Sequence, residues 1–177
     1  MRPVLRTARL RLEPLRAEHA ELLVELDSDP DVLEHIIGRA LTREESLAAL
    51  PLRMEQDADT RGLGLWVGFE ATASGEEFVG WWCLLRDADP TTAELGYRLP
   101  RRAWGRGLAT EGALAMLDHG FGIVGLDSVW AETRTSNVAS QHVLAKCGME
   151  LVGQVRPQVL RYERTRAGWA GSSQTSG

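Results

Sequence analysis

The chain has 177 residues, 44% hydrophobic and 25% charged, with a formal net charge of -5. That length suits one domain with a sizeable core, and the acid excess excludes a general nucleic-acid binder, whose affinity would rest on a basic face. No apolar run approaches the roughly 20 residues that span a bilayer, and the opening "MRPVLRTARLRLEPL" lacks the apolar stretch of a secretory signal, so a cytoplasmic protein with reduced Cys83 and Cys147 and no membrane association is expected.

In chain order, "TARLRLEPL" (7–15) puts Leu10 and Leu12 on one face and Arg9, Arg11 and Glu13 on the other, the period of a strand, closed by Pro14. Ala20, Leu22, Leu23 and Leu26 recur at helical spacing. "SDPD" (28–31) breaks that helix and starts a short second one carrying Val32, Leu33, Ile36 and Ile37. Thr42 and Glu45 have the spacing of a capping box for a third helix reaching about Met54. A β-rich block follows: 63–70 and 77–86 flank a hairpin turn through Ser74 and Gly75, and 91–100 is a third strand. Gly96 inside it signals a bulge or a close backbone approach. Residues 107–121 form a helix with Leu108, Ala109, Ala113, Met116 and Leu117 on one stripe, 128–133 a strand, and 136–148 a helix ended by Gly148. "MELVGQV" and "VLRYERT" are a final strand pair. The reading is one α/β (α+β) domain over 1–169, with a mixed, mostly antiparallel sheet of six to seven strands and a disordered tail at 170–177.

Charge is unevenly spread. Basic residues cluster at 2–16 and 98–106, and acids at 13–34 and 44–59. An acidic surface suits a cationic acceptor but is also ordinary solvation. The basic cluster asks for an explanation, because "LPRRAWGRGLATEGA" (99–113) packs Arg101, Arg102 and Arg106 around Gly105 and Gly107 at a helix start. A helix N-terminus exposes unpaired N–H groups and about half a positive charge. Glycines let those amides approach a phosphate with no Cβ in the way. A P-loop is excluded because no lysine stands in the turn, and a Rossmann fingerprint because Ala109 and Thr110 follow where a third glycine is needed.

"RAWGRGLA" (102–109) resembles the R/Q-x-x-G-x-G/A signature of the GCN5-related N-acetyltransferases (GNAT). The opening "ARLRLEPLRAEHAELLVELDSDPDV", the block around the turn and "TSNVASQHVLAKCGME" resemble, in the same order, the branch containing the ribosomal-protein alanine N-acetyltransferases, over about residues 8–165. The resemblance implies a GNAT-like fold with helices on both sheet faces and two splayed strands forming an acetyl-CoA cleft, and a metal-free N-acetyltransferase with acetyl-CoA as cosubstrate. It further implies that the backbone of Leu95 to Leu99, Tyr97 included, lines the pantetheine arm. Arg102, Gly105, Arg106, Gly107, Ala109 and Thr110 would take the pyrophosphate. Asn137 would help place the thioester, although its position also suits a helix cap.

Acyl transfer to an amine needs a neutral amine, a stabilised oxyanion and a departing thiolate. An α-amine, with a pKa of about 7.7–8.0, is far more neutral at pH 7 than a lysine at about 10.4. A backbone N–H near Gly96 and Tyr97 is the expected oxyanion donor. Glu94 is the expected base, directly or through a water, or else a carboxylate paired with Arg98. Many family members carry a tyrosine acid seven residues after the asparagine matched by Asn137; here that position is Leu144. Ser140 is the expected replacement, or else bonds the carbonyl four residues back. His142 faces elsewhere on its helix, Tyr162 suits a strand, and Trp66 and Trp130 suit the core. Trp104 sits in the turn, and of Trp81 and Trp82 only one can face any given pocket. The acceptor is read as a protein N-terminal α-amine or a small-molecule amine such as a polyamine or antibiotic. A CoA-binding module without activity and a scaffold are the readings from other classes, and a homodimer is open to the chain.

Overall fold

The computed structural model describes residues 2–55 and 62–172. The N-terminal alternation folds as expected but in two pieces. β1 (Leu5–Arg6) turns back onto β2 (Leu10–Pro14), with the Thr7 amide donating to the Leu10 carbonyl at 2.9 Å. Leu10 and Leu12 are buried and Pro14 closes the strand opposite Trp66. This extra two-residue strand makes the sheet eight-stranded, where six to seven strands were expected.

Three helices follow. α1 (Ala20–Asp27) buries Leu23 and Leu26. α2 (Pro30–Leu33) is capped by Asp29, whose carboxylate accepts from the Asp31 amide at 3.0 Å. It stops sooner than the periodicity suggested. The amides of Ile36, Ile37 and Gly38 all donate to the Leu33 carbonyl (3.0–3.1 Å), which ends the helix and leaves Ile36 and Ile37 half exposed rather than on its buried stripe. α3 (Arg43–Glu55) starts on the expected capping box: the Glu45 amide donates to Thr42 Oγ1 (3.2 Å) and the Thr42 amide to Glu45 Oε2 (2.8 Å).

β3 (Gly64–Thr72) and β4 (Gly75–Arg86) form the expected hairpin, with Ala73 and Ser74 as the turn and Gly75 already paired with Thr72. β5 (Thr92–Arg98) pairs with β4 in unbroken register from Ala93 to Arg98, so Gly96 marks no bulge. It marks a close approach: a Cβ there would come within 2.9 Å of Cys83 Sγ.

α4 (Leu108–Asp118) buries Leu108, Ala113, Met116 and Leu117 and passes into a widened π turn at 119–124. β6 (Ser128–Arg134) leads to α5 (Val138–Lys146), where Gly148 takes the left-handed conformation at φ 69°. The Gly148 amide donates to Ala145 and the Met149 amide to Leu144, a complete Schellman stop. β7 (Glu150–Arg156) and β8 (Val159–Thr165) close the sheet. α6 (Arg166–Ser172) runs three residues into the segment read as a tail, and the rest of that segment lies outside the described residues.

The strand order is β1-β2-β3-β4-β5-β6-β8-β7, antiparallel throughout except for the β5–β6 pair. One core packs α4 and α5 on the face carrying Trp66, Trp82, Leu84 and Leu95. The other packs α1 and α2 against Leu65, Val67, Phe78 and Cys83. Each fully buried Leu or Trp stabilises by about 1.5–3 kcal/mol, enough to fix the sheet's register. Both cysteines are buried and form no disulfide. Among the described residues no helix is long and apolar enough to cross a membrane.

Candidate active site

The parallel β5–β6 pairing lasts three residues: Thr92 opposite Ser128, Ala93 opposite Val129, and Glu94 opposite Trp130. β5 then runs on to Arg98 along β4, while β6 runs on to Arg134 along β8, and the two no longer pair. The sheet therefore opens into a wedge with Glu94 at its apex. The irregularity expected at Gly96 and Tyr97 lies on this side of β5, as a lost partner and not as a bulge.

At the open end of β5 the chain makes one tight turn over Arg101–Ala103, then passes Gly105 (φ 70°) and Gly107 (φ 80°) into α4. α2, α3 and α5 begin on side-chain caps from Asp29, Thr42 and Asn137. α4 begins on Gly107, which has no side chain to offer its first turn. Among the described residues the amides of Gly105, Arg106, Gly107, Leu108, Ala109 and Thr110 have no acceptor. Six acceptor-free donors at the positive end of a helix suit an anion.

The arginine side chains do something else. Arg102 bonds Glu77 (2.8 Å), Glu25 (3.1 Å) and the Phe78 carbonyl (3.1 Å); Arg106 bonds both oxygens of the buried Glu70 (2.7 and 2.8 Å); Arg101 pairs with Asp31. Two acids of 13–34, Glu25 and Asp31, thus partly neutralise the basic turn. The main-chain amides are the donors of the turn that no acid already holds.

Sequence reasoning missed the clasp that fixes this turn. Arg9 donates through Nη1 to the Arg106 carbonyl (2.9 Å) and through Nε to Glu111 (2.7 Å), which also accepts from Thr7 Oγ1 and the Arg9 amide. These partners are about a hundred residues apart and leave no local signature. It also missed Asp27, fully buried, which accepts from Arg98, from Arg53 (2.8 Å) and from Ser46 Oγ (2.8 Å). Arg98 is therefore taken by Asp27 and does not pair with Glu94.

Glu94 is half buried, and no hydrogen bond to its side chain is found among the described residues. Burial pushes its carboxyl above the ordinary carboxylate range, with Glu132 adding to the rise and Arg161 and Arg156 opposing it. Burial also disfavours the Glu132 anion, but bonds from Arg161 (2.6 Å) and Arg156 overcome it and hold that carboxyl low. Two neighbouring carboxylates are thus driven apart, which singles out Glu94 as the group able to exchange a proton nearer neutrality.

Tyr97 stands three residues on and so faces the other side of β5. Its hydroxyl lies 2.9 Å from Ser140 Oγ and 3.4 Å from the Ser140 carbonyl. Ser140 shows no bond to the carbonyl four residues back; its hydroxyl partner is Tyr97. Asn137 caps α5 through Oδ1, accepting from the Ser140 amide at 3.0 Å, and its carboxamide nitrogen has no partner among the described residues. Leu99 is buried and its carbonyl accepts from Trp104 Nε1 (2.8 Å), leaving the Trp104 ring half exposed beside the turn. The structure thus gathers Tyr97, Ser140 and Asn137 in one place and the amides of 105–110 in another. No contact joins Glu94 to Ser140 among the described residues. His142 is exposed, Trp66 and Trp82 are core, and Trp130 is half buried, its Nε1 on Asp87 (2.7 Å). Burial pushes the Cys147 thiol up to about 12, which leaves it no thiolate at neutral pH.

The family model for the acetyltransferase (GNAT) domain matches residues 9–150. A relative from Aspergillus fumigatus, named FsC-acetyl coenzyme A-N(2)-transacetylase, is 41% identical over 158 residues, 83% of this chain. The chain spans 65% of that relative's length. Among solved structures, a GNAT-family acetyltransferase from Bacillus anthracis superposes with a TM-score of 0.80 at 20% identity, covering 93% of this chain and 99% of its own. A ribosomal L7/L12 alpha-N-protein acetyltransferase in complex with coenzyme A gives 0.79 at 18% identity, covering 94% and 99%.

Proposed function

The chain belongs to the GNAT acetyltransferase family and is an acetyl-CoA-dependent N-acetyltransferase; from that premise we propose that its acceptor is a small-molecule primary amine, acetylated by direct attack in a ternary complex. The observation carrying the proposal is the wedge between β5 and β6, with Glu94 at its apex and six acceptor-free amides at its mouth. The amides of Gly105 to Thr110 hold the diphosphate of acetyl-CoA, which supplies the activated acetyl group as a thioester. The open edge of β5 from Leu95 to Leu99 lies along the pantetheine arm, in the manner of an added strand. Glu94 accepts the proton of the attacking amine, directly or through one water. Ser140 would donate a hydrogen bond to the departing sulfur.

The reading is supported by the 41% relative, which is named as an acetyl coenzyme A-N(2)-transacetylase. A protein N-terminal α-amine, implied by the resemblance of the sequence, is the competing acceptor. An α-amine is partly neutral at pH 7, whereas an alkyl primary amine near a pKa of about 10.4 must lose its proton before it attacks.

The test is melting with and without CoA, followed by CoA thiol release over panels of small amines and N-terminal peptides. CoA is expected to raise the melting temperature, and small amines to give the higher kcat/KM. Gly107→Val forces a β-branched residue into left-handed backbone at a local cost of about 1–2 kcal/mol and turns the amides away. It is expected to fold with a native circular dichroism spectrum and to lose the CoA-dependent shift. A folded variant that keeps the shift refutes the cradle, and preference for peptides refutes the acceptor.

A further inference from the structure

The two hydroxyls facing each other at the wedge come from its two walls, Tyr97 from β5 and Ser140 from the helix that follows β6. Their separation of 2.9 Å is a full hydrogen bond. Ser140 stands in the first turn of α5, where the carbonyl four residues back lies outside the helix, and its hydroxyl partner is Tyr97. Either hydroxyl can donate across this contact; with the more acidic phenol taken as the donor, Ser140 Oγ accepts. The proton of Ser140 then has no acceptor among the described residues and is free to point into the wedge.

We infer that Tyr97 is a positioning residue for the acetyl-transfer reaction: its hydroxyl fixes the rotamer and proton direction of Ser140, so that Ser140 donates to the sulfur that leaves. The inference rests on the acetyltransferase reading of the wedge. It accounts for Leu144, buried at the position where the family resemblance leads to a tyrosine being expected, since the phenol arrives from the strand opposite and acts through a serine. Burial raises the Tyr97 phenol above its ordinary value, the Ser140 bond lowering it in part. The phenol thus keeps its proton throughout and orients without being consumed.

The step balances as follows. The amine nitrogen bonds to the acetyl carbonyl carbon, the C–S bond breaks, and its electron pair stays on sulfur. Glu94 takes the proton that the amine releases. The thiolate accepts a hydrogen bond from Ser140 and is protonated from solvent, while Glu94 returns the amine's proton to solvent, which restores both groups.

The test uses the full chain with CoA and does not require the acceptor. The thiol of bound CoA is titrated by its thiolate absorbance in wild type, Tyr97→Phe, Ser140→Ala and the double variant. Bound CoA is expected to ionise about one pH unit below free CoA in wild type, the size of one hydrogen bond to a charged group. The shift should vanish in Ser140→Ala and shrink in Tyr97→Phe. Where an acceptor amine is in hand, Tyr97→Phe should lower kcat about tenfold with KM for acetyl-CoA unchanged. The double variant should lose no more than Ser140→Ala alone, because the pair acts as a unit, and Ser140→Thr should retain the dependence on Tyr97. An unshifted thiol in wild type, equal shifts in wild type and Tyr97→Phe, or additive losses overturn the inference. So does a Tyr97→Phe effect confined to KM or to melting. Failure of the small-amine panel with the thiol shift intact refutes only the acceptor; absence of CoA binding refutes both.

Discussion

The turn into α4 and the wedge beside β5 are neighbours in the chain but are made of different material. The turn offers main-chain amides, and its arginine side chains are spent on Glu25, Glu70, Glu77 and Asp31. The wedge offers side chains, one each from β5 and α5 in Tyr97 and Ser140, and Glu94 at its apex. A backbone donor is deleted only by proline; other substitutions at most misdirect it. Side-chain donors can be deleted one at a time. The turn should therefore tolerate loss of its charges, and the wedge should not.

The largest effect is expected at Glu94. Glu94→Gln should lower kcat/KM by about 10²–10⁴-fold, the usual contribution of a general base, with CoA binding retained. In wild type kcat/KM should rise with pH through a limb set above the ordinary carboxylate range, because burial raises this carboxyl, and the limb should disappear in the variant. The stability sign is opposite. A carboxyl raised in the fold binds more protons folded than unfolded, so stability falls as pH rises through its folded pKa. Glu94→Gln should then be no less stable than wild type at neutral pH, as read by chemical denaturation. A variant that is less stable and fully active would make Glu94 a structural carboxylate.

Next in size is Asp27, which anchors the unpaired half of β5 by holding Arg98 directly after Tyr97. Asp27→Ala leaves Arg98 and Arg53 without their buried counter-ion, and removing one partner of a buried pair costs about 3–5 kcal/mol. Urea midpoints check this. A loss below about 1 kcal/mol would mean that the wedge is held by β4 alone.

The same contrast governs what was legible in the sequence. The strands with alternating leucines, the Thr42 and Glu45 box, the Gly148 stop and the glycine turn are set by residues within a few positions of one another, and all were readable. The second apolar helix was read too long because Ile36 and Ile37 keep a helical period after the backbone has closed on Leu33. Glu94 and Ser140 were readable only through family resemblance. Their partners were not readable at all, since Tyr97 meets Ser140 across 43 positions and Arg98 meets Asp27 across 71. Arg98 and Arg102 look alike in "GYRLPRRAWGRG", yet the first is buried on a carboxylate and the second lies on the surface. Only the fold separates them.

Arg102 provides the smallest and sharpest test of that separation. Its side chain is 43% exposed and bonds two surface glutamates, so the pairs together contribute less than about 1 kcal/mol. Arg102→Ala should shift the urea midpoint slightly and weaken CoA binding by no more than about fivefold, the equivalent of that energy. Raising the salt concentration should erase most of the difference, because exposed pairs are screened. If instead Arg102→Ala removes CoA binding as completely as Gly107→Val, the guanidinium leaves its glutamates for the phosphate when CoA arrives. The amides would then be only half of the cradle, and the arginines that drew attention in the sequence would be its other half.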